Sequence, residues 1–199
     1  TPGSVFDPSN GRESYLFNST ITGIEESDAL LLIGSNPRFE AAVLNSRILK
    51  RVKMGNYPVG VVGEVGDLRY DYEQLGTKPS DLKSLLVSKG GFLAKLKRAK
   101  KPLIILGQGA LNRTDSVGVI ALATQLAKDI GAINKVWNGL SILHTDAGQV
   151  GALDLGFVPG KGGKATADMT NGLDVLFLHG ADELPMNEVS GFVVYIGTH

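Results

Sequence analysis

A run of five apolar residues, Ala29–Ile33, leads directly into Gly34-Ser35 and then into Asn36-Pro37. Uninterrupted apolar runs of this length are typical of β-strands that are covered on both faces. Gly34 allows a sharp turn, Asn36 is expected to cap a helix with its side-chain oxygen, and Pro37 needs no backbone donor in a first turn. The pattern therefore predicts a buried strand, a short turn and a helix whose core-facing residues are Ala41, Leu44, Ile48 and Val52.

Strand and helix signals alternate along the rest of the chain. The predicted elements are strands at 59–62, 103–106, 175–178 and 192–196, short helices at 81–86 and 92–99, and a longer helix after Thr114 with a buried face of Val119, Leu122, Ala123, Leu126 and Ile130. Residues 67–76 are expected to be a surface loop. The alternation predicts an α/β fold with a doubly wound, mostly parallel sheet flanked by helices. Residues 1–14 are polar and turn-rich and are predicted to form an extended N-terminal arm, followed by one domain at 15–199.

The sequence contains no cysteine, and its basic and acidic side chains are equal in number, 20 of each. Without cysteine the chain offers no ligand for a thiolate-held iron–sulfur cluster or a Cys-based zinc site, and it cannot form a disulfide. The balanced charge argues against binding to nucleic acid or to an anionic membrane. No apolar run has the length of a bilayer span, and the residues from Thr1 onward lack a signal-peptide pattern.

An ordered series of short motifs resembles one known family. The motifs are Gly-Ser-Asn-Pro-Arg-Phe-Glu-Ala at 34–41, Tyr70-Asp71-Tyr72 with Leu75-Gly76, Lys100-Lys101-Pro102 before Leu106-Gly107, Ile142-Leu143-His144, Gln149-Val150 with Ala152-Leu153-Asp154-Leu155-Gly156, and Phe177-Leu178 with Gly180-Ala181-Asp182. In this order they are similar to the large iron–sulfur subunit of respiratory complex I, the NADH:quinone oxidoreductase. The resemblance is to its C-terminal, molybdopterin-oxidoreductase-like region, and it covers the chain from about Tyr15 onward.

The resemblance implies a fold like that of formate dehydrogenase and DMSO reductase, and a parent subunit whose [4Fe–4S] and [2Fe–2S] clusters lie in an N-terminal part. It implies partners among the other peripheral-arm subunits and the ferredoxin-like part of the same chain. The parent would lie on the cytoplasmic face of a bacterial inner membrane or the matrix face of a mitochondrial one. The chain begins at Thr1 and stops at His199 just after a predicted strand, so we expect a non-catalytic fragment of that subunit.

The turn at Gly34, Asn36 and Arg38 is a candidate cofactor site. In molybdenum-containing relatives the corresponding strand end lies near the pterin dinucleotide, and a helix N-terminus beside Arg38 is suited to hold a phosphate. Complex I relatives are understood to have kept the fold and lost the cofactor, and this chain resembles them through Arg38-Phe39-Glu40. We therefore expect a vestigial site without a bound cofactor. A fragment of a molybdopterin-dependent oxidoreductase remains an alternative.

Two other glycine-rich segments suggest nucleotide binding. Gly107-Gln108-Gly109 follows a strand, but Asn112 stands where a dinucleotide fingerprint has its third glycine, and the helix is expected to begin only after Thr114. A nucleotide-binding enzyme that uses the Gly107 turn is the second alternative. Residues 156–164 resemble a phosphate loop only superficially, because the spacing is too short and Gly162 replaces the magnesium-binding Ser or Thr. A surface loop is expected there.

No residue pattern predicts a metal or an acid/base site. His144, His179 and His199 are too dispersed to form a ligand set by spacing. The carboxylate pairs Glu25-Glu26 and Asp182-Glu183 are adjacent in sequence and are expected to point apart in solvent-facing loops. We therefore predict no catalytic residue and no metal in this segment.

Overall fold

The computed structural model describes residues 5–159, 163–165, 168–169, 172–181, 186 and 189–197. Its strands are β1 (Ala29–Ile33), β2 (Val59–Val62), β3 (Glu73–Gly76), β4 (Pro102–Leu106), β5 (Leu140–Ile142), β6 (Val175–His179) and β7 (Phe192–Ile196). Its helices are α1 (Thr20–Glu26), α2 (Pro37–Glu40), α3 (Ala42–Lys53), α4 (Pro79–Val87), α5 (Gly91–Arg98), α6 (Gln108–Leu111), α7 (Ser116–Asp129) and α8 (Gln149–Asp154). Strands β1 to β5 form a parallel sheet in the order β3-β2-β1-β4-β5.

Strands β1 and β4 form the centre of this sheet, and every residue in both is buried. Because side chains alternate between the faces of a strand, the two apolar runs supply two separate cores. Leu31 and Ile104 lie in a core that also contains residues of α4, α5 and α7. Leu30 and Leu103 lie in the opposite core, with residues of α1 and α3. Helices therefore cover both faces, and the predicted doubly wound α/β fold is confirmed.

The first predicted helix is divided into two. Helix α2 ends at Glu40, Ala41 has non-helical backbone angles, and α3 begins at Ala42. The predicted core-facing side is nevertheless confirmed, because Ile48 is fully buried and Ala41, Leu44 and Val52 pack against the same core. In α7 the predicted face is also confirmed, although Leu122 is only partly buried.

Several strands differ from their predictions. Strands β6 and β7 pair with each other in a separate two-stranded parallel sheet instead of extending the main one. Buried and exposed side chains alternate in β6, whereas those of β1 are all buried. Within the predicted loop 67–76, residues 73–76 form the edge strand β3, whose polar Glu73 and Gln74 gave no strand signal. Strand β5 was also missed, since three residues are too few to show a period.

The described part of the N-terminal segment contains two short 3-10 turns, Pro8–Asn10 and Arg12–Ser14. Phe6 and Tyr15 are buried in the core on either side of them. The segment that follows covers the outer edge of β5, where Ile142 N–H donates to Leu16 C=O and Phe17 forms an antiparallel bridge with Ser141. Residues 8–14 are therefore turned rather than extended, and the domain boundary after residue 14 stays a prediction.

Candidate functional site

The site lies at the carboxyl ends of β1 and β4, the two central strands. Strand β1 pairs with β2 on one side and with β4 on the other, so the chain order of the sheet reverses between β1 and β4. Open α/β sheets bind ligands in the crevice at such a point. Gly34 follows β1 and Gly107 follows β4, so both glycine turns of the sequence meet here.

The two turns are in direct contact. Gly34 has a φ of +55°, and a Cβ atom on it would collide with the backbone nitrogen of Ala110 in α6. A Cβ atom on Gly107 would lie 2.5 Å from the Cβ of Ser35 and 2.6 Å from Glu40 Oε2. Both glycines are thus required by the close approach of the turns, which leaves little room between them.

The carboxylate of Glu40 lies between these turns. The backbone N–H of Asn36 donates to Oε1 at 2.7 Å, and the backbone N–H of Gln108 faces Oε2 at 3.4 Å. The hydroxyl of Ser35 is 3.5 Å from Oε2. The first contact is a short hydrogen bond and the other two are long ones. A negative charge of the chain itself therefore faces the amides at which an anionic ligand would be expected.

Asn36 does not cap the helix with its side chain, so that prediction is wrong. Its Nδ2 donates instead to the carbonyl of Val65 at 2.6 Å, in the loop between β2 and β3. Its Oδ1 is buried and has no hydrogen-bond partner among the described residues. The helix start is capped instead by Glu40, whose carboxylate accepts a hydrogen bond from the backbone N–H of Asn36.

Arg38 points away from the Gly34 turn. Its Nη1 donates at 2.8 Å both to the carbonyl and to Oδ2 of Asp67 in the β2–β3 loop. The backbone N–H of Arg69 and the charge of Arg38 hold the pKa of the Asp67 carboxyl below its ordinary value. Of the three vestigial candidates, only Gly34 lines the small cavity beside the turns. The side chains of Asn36 and Arg38 instead hold the β2–β3 loop against α2.

A small cavity remains beside the turns, with a volume of about 40 Å³. Its lining includes Gly34, Gly63, Lys78, Gly109 and Arg113. Arg113 is paired with Asp115 through two hydrogen bonds of 2.6 and 2.9 Å. Pockets for cofactor-sized ligands usually measure roughly 300–1,000 Å³, so this cavity is far smaller than a dinucleotide site.

The Gly107 turn differs from its prediction in one respect. A short helix, α6, begins at once at Gln108, rather than after Thr114. Its first amide faces Glu40, and the Gln108 side chain donates through Nε2 to the carbonyl of Leu143 at 2.8 Å. Sequence spacing could not show either contact, because Glu40 and Leu143 lie far from Gln108 along the chain.

The described histidines lie apart. Nε2 of His144 is 2.6 Å from the carbonyl oxygen of Tyr15, and its ring contacts Phe6 edge-on at 5.6 Å between centroids. His179 lies exposed in β6, and His199 lies outside the described residues. Within the described ranges no three His, Cys, Asp or Glu side chains are placed to hold a metal ion.

Glu25 and Glu26 lie in α1 and not in a loop as predicted, but they do point towards different partners. Glu25 binds Arg47 and Lys50, whereas Glu26 binds Lys101 at 2.6 Å. Hydrogen bonds from Lys50 and Arg47 lower the pKa of the Glu25 carboxyl. Asp182-Glu183 and residues 160–162 of the glycine-rich loop lie outside the described part of the chain.

A cluster that sequence reasoning missed joins the N-terminal segment to α8. Asp154 accepts two hydrogen bonds from Arg12, at 2.8 and 2.9 Å, and one from the Tyr15 hydroxyl at 2.8 Å. The hydrogen bonds from Arg12, and then the one from Tyr15, lower the pKa of the Asp154 carboxyl. Asp154 belongs to one of the motifs that carry the family resemblance, and in the structure it holds the N-terminal segment against α8.

The sequence matches the molybdopterin oxidoreductase family over residues 2–199. The chain belongs to this family. It is 40% identical to the mitochondrial NADH dehydrogenase [ubiquinone] iron-sulfur protein 1 of Solanum tuberosum. The alignment of 190 residues covers 94% of this chain and 25% of that protein. It is 41% identical to the NADH-ubiquinone oxidoreductase 75 kDa subunit of Reclinomonas americana. That alignment of 199 residues covers 98% of this chain and 28% of the subunit.

A bacterial relative shows the same relation. A subunit of the NADH-quinone oxidoreductase of Rickettsia bellii is 39% identical over 189 residues, which cover 94% of this chain and 27% of the relative. The resemblance predicted from the motifs is confirmed by these matches. The chain spans about a quarter of the length of these relatives. Among the described residues, no helix is long and apolar enough to cross a membrane.

The family name implies a molybdopterin cofactor, and the crevice at Gly34 is where this fold would place it. The residues present do not fit such a group. Glu40 presents a negative charge to the amides that a phosphate would use, and Gly34 lies against Ala110 across the crevice. The cavity that Gly34 lines measures about 40 Å³. We therefore derive no chemistry through a pterin at this position.

Proposed function

We propose that this chain is a structural, cofactor-free segment of the large peripheral-arm subunit of an NADH:quinone oxidoreductase. In this proposal the parent subunit carries electrons from NADH towards quinone through [4Fe–4S] and [2Fe–2S] clusters outside the segment. The similarity to the named iron–sulfur and 75 kDa subunits supports the assignment. The absence of cysteine from the sequence supports the placement of the clusters elsewhere.

The observation that carries the cofactor-free part of the proposal is the internal pairing of the polar groups at the crevice. In a family that is named for a molybdopterin cofactor, the amides of Asn36 and Gln108 face the chain's own carboxylate, Glu40. Arg38, the cation expected beside the turn, is committed to Asp67. These groups, which would recognise a cofactor phosphate, already have partners within the fold.

The proposed partners are the other subunits of the peripheral arm and the ferredoxin-like N-terminal part of the same subunit. The proposed location is the cytoplasmic face of a bacterial inner membrane or the matrix face of a mitochondrial one. Both proposals rest on the names of the similar proteins, which come from mitochondria and from a bacterium.

The proposal is tested in the parent complex by separating assembly from turnover. Leu126 is fully buried, so Leu126→Ala is expected to destabilise the domain and to lower the amount of assembled complex. Each complex that does assemble should keep its NADH:quinone activity. Native gels measure the first quantity, and activity normalised to flavin content measures the second. As a matched control, Leu155→Ala changes an 88% exposed side chain and should alter neither quantity.

The same experiment addresses the alternatives. A pterin enzyme at Arg38 predicts normal assembly with reduced turnover per complex when Arg38 is changed. A side chain on Gly107 would collide with Ser35 and Glu40, so the nucleotide-binding alternative is tested by ligand binding. Equilibrium dialysis of the 199-residue chain with NAD, FAD and ATP gives an independent measurement. Saturable binding of one of them, or a fully assembled Arg38→Ala complex with many-fold slower turnover, would contradict the structural function.

A further inference from the structure

The contacts of Glu40 link two turns that are far apart in sequence. Its Oε1 accepts from the Asn36 N–H, next to β1, and its Oε2 faces the Gln108 N–H, next to β4. Among the described residues, neither of these two amides has another hydrogen-bond acceptor. Glu40 therefore provides an acceptor for a backbone amide of each turn with one side chain, at the carboxyl ends of β1 and β4.

The turns fit closely around this carboxylate. Glu40 Oε2 lies 2.6 Å from the position that a Cβ atom on Gly107 would occupy, so a larger residue there would displace it. On its other side, the β1–α2 turn is held to the β2–β3 loop by Asn36 and by Arg38. These contacts hold the start of α2, and with it Glu40, against the β2–β3 loop.

We infer that Glu40 is a built-in clasp, a carboxylate that joins the β1–α2 and β4–α6 turns and closes the crevice to external anions. The inference rests on the proposed cofactor-free function and adds the residue that maintains it. An anion that approached the same amides would have to displace a carboxylate that belongs to α2, the helix that follows the first turn. It would also meet the repulsion of a like charge at short range.

Amide hydrogen exchange of the 199-residue chain tests the clasp directly. Glu40→Ala removes the acceptor of both amides, and Glu40→Gln keeps the shape but turns an NH₂ donor towards one of them. Exchange at Asn36 should accelerate on the order of tenfold to a hundredfold, since its amide loses a short hydrogen bond to a charged acceptor. Exchange at Gln108 should also accelerate, but less, because its contact with Glu40 is longer. Exchange at Gly107 should stay unchanged, because its N–H donates to the Ile33 carbonyl at 3.0 Å.

The matched control is Glu73→Gln. It removes the same charge from an exposed carboxylate, which pairs with Lys95 at 2.6 Å and contacts neither turn. This variant should leave exchange at Asn36 and Gln108 within about twofold of the wild type, since their acceptor is intact. If Glu40→Ala lowers global stability, the exchange rates are compared with that of Leu30, whose N–H donates to the Pro58 carbonyl in the central sheet. Glu40→Gln then serves as the milder variant.

Two results would overturn the clasp. One is exchange at Asn36 and Gln108 that stays at the wild-type rate in both Glu40 variants, after correction for global unfolding. The other is protection of these amides in the wild-type chain by millimolar inorganic pyrophosphate, because a closed crevice excludes that anion. Saturable binding of NAD or FAD that leaves both amides unaffected would instead refute the proposed function and leave the clasp intact.

Discussion

Replacing Gly34 by alanine tests how closely the two turns at the strand ends approach each other. The substitution has two separable effects. The φ of +55° lies in the left-handed region, which costs an L-residue with a side chain roughly 1–2 kcal/mol. In addition, the new methyl group would be directed at the backbone of Gly109 and Ala110, with the Ala110 Cβ only 2.7 Å away. Overpacking of this kind typically costs about 1–3 kcal/mol more.

Gly131→Ala is the matched control, because Gly131 has a similar φ of +74° and nothing within 4 Å of the position that a Cβ atom would occupy. It should cost only the backbone contribution, roughly 1–2 kcal/mol. Gly34→Ala should therefore destabilise the chain by about 2–5 kcal/mol, with the excess over Gly131→Ala reporting the contact with α6. Urea denaturation with a common slope measures both values. Equal destabilisation by the two variants would show that the turns are not closely packed.

Three further outcomes are expected. Leu126→Ala should lower the free energy of unfolding by roughly 2–5 kcal/mol, whereas Leu155→Ala should stay within about 0.5 kcal/mol of wild type, as denaturation midpoints will show. The hydrogen bonds from Arg12 lower the pKa of Asp154 in the folded chain, so the ionised Asp154 stabilises the fold above the ordinary carboxyl pKa, and this stabilisation is lost as pH falls through the lowered pKa. Asp154→Asn should therefore make the free energy of unfolding less dependent on pH in the acid range. Burial raises the pKa of the Tyr57 phenol well above its ordinary value, so ultraviolet titration of the folded chain should find this group un-ionised near its ordinary pKa of about 10.

The parts of the fold that sequence predicted are those in which one local signal dominates. The runs at β1 and β4 are buried on both faces, so their apolar continuity was visible without knowledge of their neighbours. Strand β3 is different, because Glu73 and Gln74 are exposed and only pairing with β2 makes the segment a strand. The separation of β6 and β7 from the main sheet is likewise a matter of pairing, which no local pattern specifies.

The candidate site was located by sequence, but its contacts were not. The glycine turn after β1 lies where the spacing predicted, at the point where the sheet order reverses. The predicted role of Asn36 is wrong because its side chain has a competing acceptor, the Val65 carbonyl, that is 29 residues away. In the sequence, Glu40 stands out only as part of the Arg38-Phe39-Glu40 motif. Its second contact, with the Gln108 amide 68 residues away, exists only in the folded chain.

Residues of the motifs that carry the family resemblance make structural contacts in this chain. Arg38 holds Asp67, and Tyr70 donates to Asn45 Oδ1 at 2.8 Å, so α2 and α3 are both fastened to the β2–β3 loop. Asp154 fastens Arg12 and with it the segment that covers the edge of β5. Each contact joins a loop to an element distant in sequence, and none requires a ligand. A pattern that identifies a cofactor-binding family can therefore be satisfied by tertiary contacts alone. These contacts support the proposal that the motif at 34–41 has a structural role in this chain.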